Sequence, residues 1–191
     1  GNILFDRMVG STIYTCTPGE YGRLGSQKLV EDVCNHIESN NDNDSNPYPI
    51  PVGGSNALGT WGYINAVDEL MQQIETIQEE EKDFALDHVV FATGSGGTAT
   101  GISVGLSLAY ASLNQKNDEL GKQQHPPPRV HAIGVCDNPD YFYNSMSSIA
   151  DNMGLANLPT PDTTTEQFVR TAVTVHHGKG RGYAISTDDE L

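Results

Sequence analysis

Three observations predict an α/β fold, a parallel sheet flanked by helices. Short β-branched apolar runs alternate with longer segments of helical periodicity. Hydrophobic residues make up 37% of the 191-residue chain, enough to build a core. The segment "HVVFATGSGGTATGISVGLSLAY", residues 88–110, reads as a buried strand, a glycine-rich turn and a small-residue helix. In a parallel sheet such a turn sits at the carboxyl end of a strand, where ligands bind.

The elements follow in order. "STIYTC" (11–16) is β-branched and aromatic and predicts a short strand. Leu29, Val33 and Ile37 recur at helical spacing in "GSQKLVEDVCNHIESN", which predicts a helix. "SNNDNDSNPYP" is a solvated polar loop, and "YPIPVGGSN" an extended run into a Gly-Gly turn. Trp61, Ile64, Val67, Leu70, Ile74 and Ile77 then share one helical face, and the acidic "EEEKD" is the solvated end of that helix. A strand at 88–92 leads into the glycine turn and a helix reaching about Leu113. "NQKNDELGKQQHPPPR" reads as a surface insertion and "RVHAIGV" (129–135) as a second buried strand. "DYFYNSMSSIADNMGL" is a helix, and "VRTAVTVHH" a helix end or a strand. Thr187 and Glu190 form a T-x-x-E capping box with Asp188 and Asp189 suited to the helix dipole, so the sequence stops as a helix starts. Together with the apolar opening "GNILFDRMVG", this predicts a fragment, incomplete at both ends.

Composition narrows the partners. Ten basic against 25 acidic residues give a formal charge of -15. That charge repels phosphate backbones and anionic membrane surfaces, so neither nucleic acid nor membrane is expected as a partner. No apolar run approaches the ~20 residues of a membrane span, and no signal peptide is visible. Three scattered cysteines, Cys16, Cys34 and Cys136, fit a reducing compartment. A cytoplasmic location is expected, with an organelle as the alternative. His176-His177 is the one histidine cluster in the sequence, and neighbours on a strand face opposite ways, so no metal site is expected.

Three phosphate-binding readings compete for the glycine turn. Gly94-Ser95-Gly96-Gly97-Thr98-Ala99 satisfies the dinucleotide pattern G-x-G-x-x-A. The acidic residue that should follow about 20 residues on arrives late, at Asp137. A P-loop is excluded because no lysine follows these glycines, and a nucleophile elbow because Thr93 stands where its first glycine should be. The third reading is a cup for a phosphate monoester. Thr93, Ser95 and Thr98 supply hydroxyls, Gly96 and Gly97 supply backbone N–H groups open to close approach, and the helix N-terminus supplies positive charge.

"PVGGSNALGTWGYINAVDEL", then "FATGSGGTATG", then "GKGRGYAIST", together with the opening "GNILFDRMVGSTIYTC", resemble the D-cysteine desulfhydrase and 1-aminocyclopropane-1-carboxylate deaminase family. The resemblance runs over essentially the whole chain, and the SGGT form looks more like the desulfhydrase branch. It implies a tryptophan-synthase-β-like, fold-type II enzyme dependent on pyridoxal 5'-phosphate. Residues 1–50 would be the end of the smaller lobe, and 51–191 part of the larger, cofactor-binding lobe. It implies a phosphate site at Gly94, Ser95, Gly96, Gly97 and Thr98, and an acid/base tyrosine at Tyr183. Gly54 and Ser55 would line the substrate pocket for a small amino acid, and the full-length enzyme would be a homodimer. D-Cysteine would give pyruvate, hydrogen sulfide and ammonia; opening of an aminocyclopropane ring is the sister reaction. The family's Schiff-base lysine lies in a segment that has no counterpart here. Lys28, Lys82, Lys116, Lys122 and Lys179 do not stand at its position, so the chain alone is expected to be inactive. The alternatives are a nicotinamide-dependent oxidoreductase using Gly94, Gly96 and Ala99, and a non-enzymatic truncated paralogue.

Overall fold

The computed structural model describes residues 2–40, 46–121, 123–155 and 163–181. The chain divides into two compact units, Gly1–Val52 and Gly53–Leu191.

The first unit is helical. Helix α1 spans Asn2–Met8 and α2 spans Pro18–Asn40. Thr17 starts α2: its hydroxyl accepts from Glu20 N, and Glu20 Oε2 accepts from Thr17 N in return. That bond holds the Glu20 carboxyl below its ordinary value. Gly25, at φ 76°, interrupts the helical path, so α2 is two helices joined at a kink. Leu29, Val33 and Ile37 are half-buried, and no described residue of α2 is fully buried. The strand expected at 11–16 does not form. β-Branched residues become a strand only beside a hydrogen-bonding partner, and the sheet among the described residues lies elsewhere.

The second unit carries the sheet. After a 3₁₀ turn at Val52–Gly54, helix α3 runs Ala57–Glu80. Strand β1 (His88–Thr93), helix α4 (Gly97–Glu119) and strand β2 (Arg129–Gly134) follow. Helices α5 (Pro139–Asn152) and α6 (Thr165–Ala172) precede strand β3 (Thr174–His177). The strands lie in the order β1-β2-β3 and pair in parallel, with His88 opposite Arg129 and His131 opposite Thr174. "VRTAVTVHH" is thus both helix end and strand, divided at Val173.

One sheet face carries Val89, Phe91, Val130, Ala132 and Val175, packed with α4, α5 and α6 into a core that includes Leu106, Phe142, Met146 and Val169. Gly134 is required there: a Cβ at that position would stand 2.5 Å from the Phe142 ring. Two expectations need correction. Helix α4 continues past Leu113, because Asn114 pairs with the backbone of His125 (2.9 Å each way) and the buried Asn117 donates to Gln123 O. The first part of the supposed insertion is therefore helix. On α3 the buried positions are Thr60, Val67 and Ile74, while Trp61 is 49% and Ile77 40% exposed. The cause is close packing: Gly101 and Gly105 of α4 approach Thr60 and Val67 so tightly that only a narrow stripe is covered.

The histidines that cluster in space are not the sequence neighbours. His88, His131 and His176, one from each strand, form a ladder on the less covered sheet face, with ring nitrogens 3.0 Å apart at both steps. Among the described residues, no group of His, Cys, Asp and Glu is arranged to hold a metal ion. No described helix is long and apolar enough to cross a membrane.

Candidate functional site

β1 and β2 end level, with Thr93 opposite Gly134, and Val135 N adds one more bond to Thr93 O. The glycine turn leaves the sheet here, at the carboxyl ends of the strands. Gly96 takes φ 91°, a left-handed backbone suited to glycine, and caps α4 without any side-chain cap bond. The first-turn N–H groups of α4 at Gly97 and Thr98 therefore have no side-chain cap among the described residues, at the positive end of a 23-residue helix.

The carbonyls of the same loop are all engaged. Gly94 O accepts from Cys136 Sγ at 3.0 Å, and Ser95 O accepts from Ser145 Oγ at 3.0 Å. Gly96 O accepts from both Thr100 N and Thr100 Oγ1, each at 2.9 Å. Burial and the neighbouring Asp137 push the Cys136 thiol up, against the opposing pull of Lys179, so the sulfur keeps its proton and donates. The loop's acceptors are satisfied by the protein, and its donors have no partner among the described residues. Such a loop attracts an anion and offers a cation little.

The second predicted segment lies against the first. Gly53 (φ 71°) and Gly54 (φ 61°) bend the chain so that Ser55 Oγ donates to Ser95 Oγ at 2.6 Å. Asn56 is the N-cap of α3, its side chain accepting from Gly59 N at 2.8 Å. A Cβ on Gly97 would stand 2.6 Å from Ser55 Oγ, so nothing larger than glycine fits where the loops touch. Further along, Gly101 meets Thr60 and Gly105 meets Val67, so α3 and α4 run side by side in the same direction. Their N-termini meet at Ser55 and Gly97. Two like dipole ends held together favour an anion between them.

Gly94, Ser95, Gly96, Gly97 and Thr98 thus form one cup, with Gly54 and Ser55 beside it. Tyr183 lies outside the described residues. Thr93, the residue just before the cup, is 2% exposed, and its hydroxyl has no partner among the described residues. Asp137 accepts from Asn138 N at 2.8 Å through one carboxylate oxygen. Cys136 and Ser145 were not legible as site residues, because they reach the loop from 42 and 50 positions away. The open donors, the glycine cradle and the orphaned Thr93 hydroxyl fit a phosphate monoester.

A family model described as pyridoxal-phosphate dependent enzyme matches residues 1–190. Over all 191 residues the chain is 37% identical to 40% of the bifunctional D-cysteine desulfhydrase/1-aminocyclopropane-1-carboxylate deaminase, mitochondrial, of Arabidopsis thaliana. It is 30% identical, again over its whole length, to 51% of a putative 1-aminocyclopropane-1-carboxylate deaminase of Thermotoga maritima. Across 89 residues, 47% of this chain and 20% of the relative, it is 48% identical to the D-cysteine desulfhydrase of Salmonella typhi. The chain spans about half or less of the length of these relatives.

Proposed function

The chain belongs to the pyridoxal-phosphate dependent enzyme family, and from that premise we propose that it is part of a lyase acting on a small amino acid. Its preferred substrate is D-cysteine, converted with water to pyruvate, hydrogen sulfide and ammonia, and aminocyclopropane carboxylate deamination is the alternative within the same site. The observation that carries this reading is the cup: loop carbonyls tied back by Cys136, Ser145 and Thr100, with N–H groups left open at a helix N-terminus.

In this reading the Gly96, Gly97 and Thr98 N–H groups and the Ser95 and Thr98 hydroxyls hold the cofactor's phosphate. The cofactor, when bound, supplies an electron sink for a carbanion at the substrate's α-carbon. Gly54 and Ser55 border the pocket and orient the substrate, with the Ser55 hydroxyl held on Ser95. Tyr183, carried over from the family resemblance, moves a proton at its phenolic oxygen. Its replacement by Phe is expected to cost about 10²–10⁴ in turnover. The assembly is a homodimer, and the three free cysteines suit a reducing compartment.

The test is a pair of titrations followed by an assay. Pyridoxal phosphate is expected to bind and NADH is not; the reverse result would reject the reading. Sulfide release from D-cysteine by the full-length enzyme, compared with its deamination of the aminocyclopropane acid, then decides the substrate.

A further inference from the structure

We propose that Cys136 and Ser145 are positioning residues that give the cup its selectivity for a phosphate-bearing ligand. The inference rests on the phosphate reading of the cup and assigns a role to two residues outside it. A trans peptide unit carries its C=O and N–H on opposite sides. Holding Gly94 O on Cys136 Sγ therefore turns the Ser95 N–H away from β2. Holding Ser95 O on Ser145 Oγ turns the Gly96 N–H away from α5. Thr100 does the same for the Gly97 N–H through Gly96 O. Three successive donors are thus aimed by three tethered carbonyls, which is the construction of an anion nest.

Two of the three tethers come from outside the loop, and they are needed because of the glycines. The peptide units at Gly94 and Gly96 can turn over at little steric cost, since no Cβ resists. Without a tether, a carbonyl dipole can swing to face the anion and repel it. Ser145 also sits under Gly96, where a Cβ would come within 3.1 Å of its hydroxyl. It holds the loop from below by contact as well as by hydrogen bond.

The experiment measures the affinity of the protein for pyridoxal phosphate, for inorganic phosphate and for pyridoxal, which lacks the phosphate. Ser145→Ala and Cys136→Ala are each expected to weaken the two phosphate ligands about tenfold, the size of one lost hydrogen bond. Affinity for pyridoxal should not change. Cys136→Ser, which keeps a donor, should retain wild-type affinity for all three. Unchanged phosphate affinity in both alanine variants would overturn the proposal, as would a parallel loss of pyridoxal and pyridoxal phosphate. A wild type that binds pyridoxal as well as pyridoxal phosphate, and no inorganic phosphate, would instead reject the phosphate reading itself, and this role with it.

Discussion

Ser55 Oγ donates to Ser95 Oγ at 2.6 Å, across 40 residues of sequence. That bond joins the turn before α3 to the turn before α4 and makes two loops one site. One hydroxyl proton fills that bond, which leaves the pair a second hydroxyl proton for a ligand. Ser55→Ala is expected to cost about 1 kcal/mol in urea denaturation, the usual net worth of a neutral hydrogen bond. Ser95→Ala should cost a similar amount, and the double variant about the same as either alone, because both remove one interaction. Additive losses would show that the two hydroxyls act independently.

Gly97, Gly101 and Gly105 recur every fourth residue on the face of α4 that meets α3, so each has one task. A Cβ on Gly105 would lie 3.0 Å from both Cβ and Cγ2 of Val67, and one on Gly101 would lie 2.8 Å from Thr60 O. Gly105→Ala and Gly101→Ala should each destabilise by about 1–3 kcal/mol through overpacking. Val67→Ala makes room at one of them. The Gly105→Ala, Val67→Ala double variant should recover part of the loss, while Gly101→Ala with Val67→Ala should not. Chemical denaturation midpoints at constant slope are the measurement.

The glycine stripe also shows how far the sequence could be read. The strand–turn–helix was legible over residues 88–113 because hydrophobic runs and glycines are local signals; the last part of α4, to Glu119, was not. The pairing of GGSN and SGGT had no such local signal: the family resemblance put both segments at one site, and Ser55 lies against Ser95. The width of the buried face on α3 was not legible. It depends on how closely α4 approaches, so Trp61 and Ile77 have the right spacing and still face solvent. Residues 11–16 have strand composition without a neighbour to pair with among the described residues. The histidine ladder and the Cys136 and Ser145 tethers join residues more than 40 positions apart, set by strand register for the ladder and by the packing of elements for the tethers rather than by any pattern along the chain.

Tyr143 holds β3 to α5. Its hydroxyl accepts from Val175 N at 3.0 Å and donates to Val173 O at 3.3 Å. It thus does for the outer side of β3 what another strand would do. Tyr143→Phe leaves the N–H of the buried Val175 without its partner, a cost of about 1–3 kcal/mol. The ring stays, and with it the Arg170 guanidinium stacked 4.4 Å from its centre. The loss should therefore be local. Hydrogen exchange at the Val175 amide is expected to accelerate while amides of β1 keep their protection. Uniform acceleration would mean that the hydroxyl supports the whole sheet.

The last expectation concerns acid. Three imidazoles in a row have six ring nitrogens, four of them paired across the two 3.0 Å steps of the ladder. Each step needs one proton. Three neutral rings carry three protons, two in the steps and one on an outer nitrogen. A fourth proton fills the other outer nitrogen and breaks nothing; a fifth must enter a step that already holds one and break it. Desolvation, then His176, His88 and Arg129, hold the His131 pKa below the ordinary value of 6.5. Arg129 and His88 face each other in register, so positive charge accumulates on this face as the pH falls. With the folded value depressed, the unfolded chain binds more protons over the interval between the two values, and stability rises with pH there. The ladder's contribution is complete above the unfolded value and is lost as the pH drops below it through the folded value. Melting temperatures between about pH 8 and pH 5 should therefore fall more steeply for the wild type than for His131→Gln, which cannot take up the proton. Equal slopes for the two proteins would show that the ladder titrates without consequence for the fold.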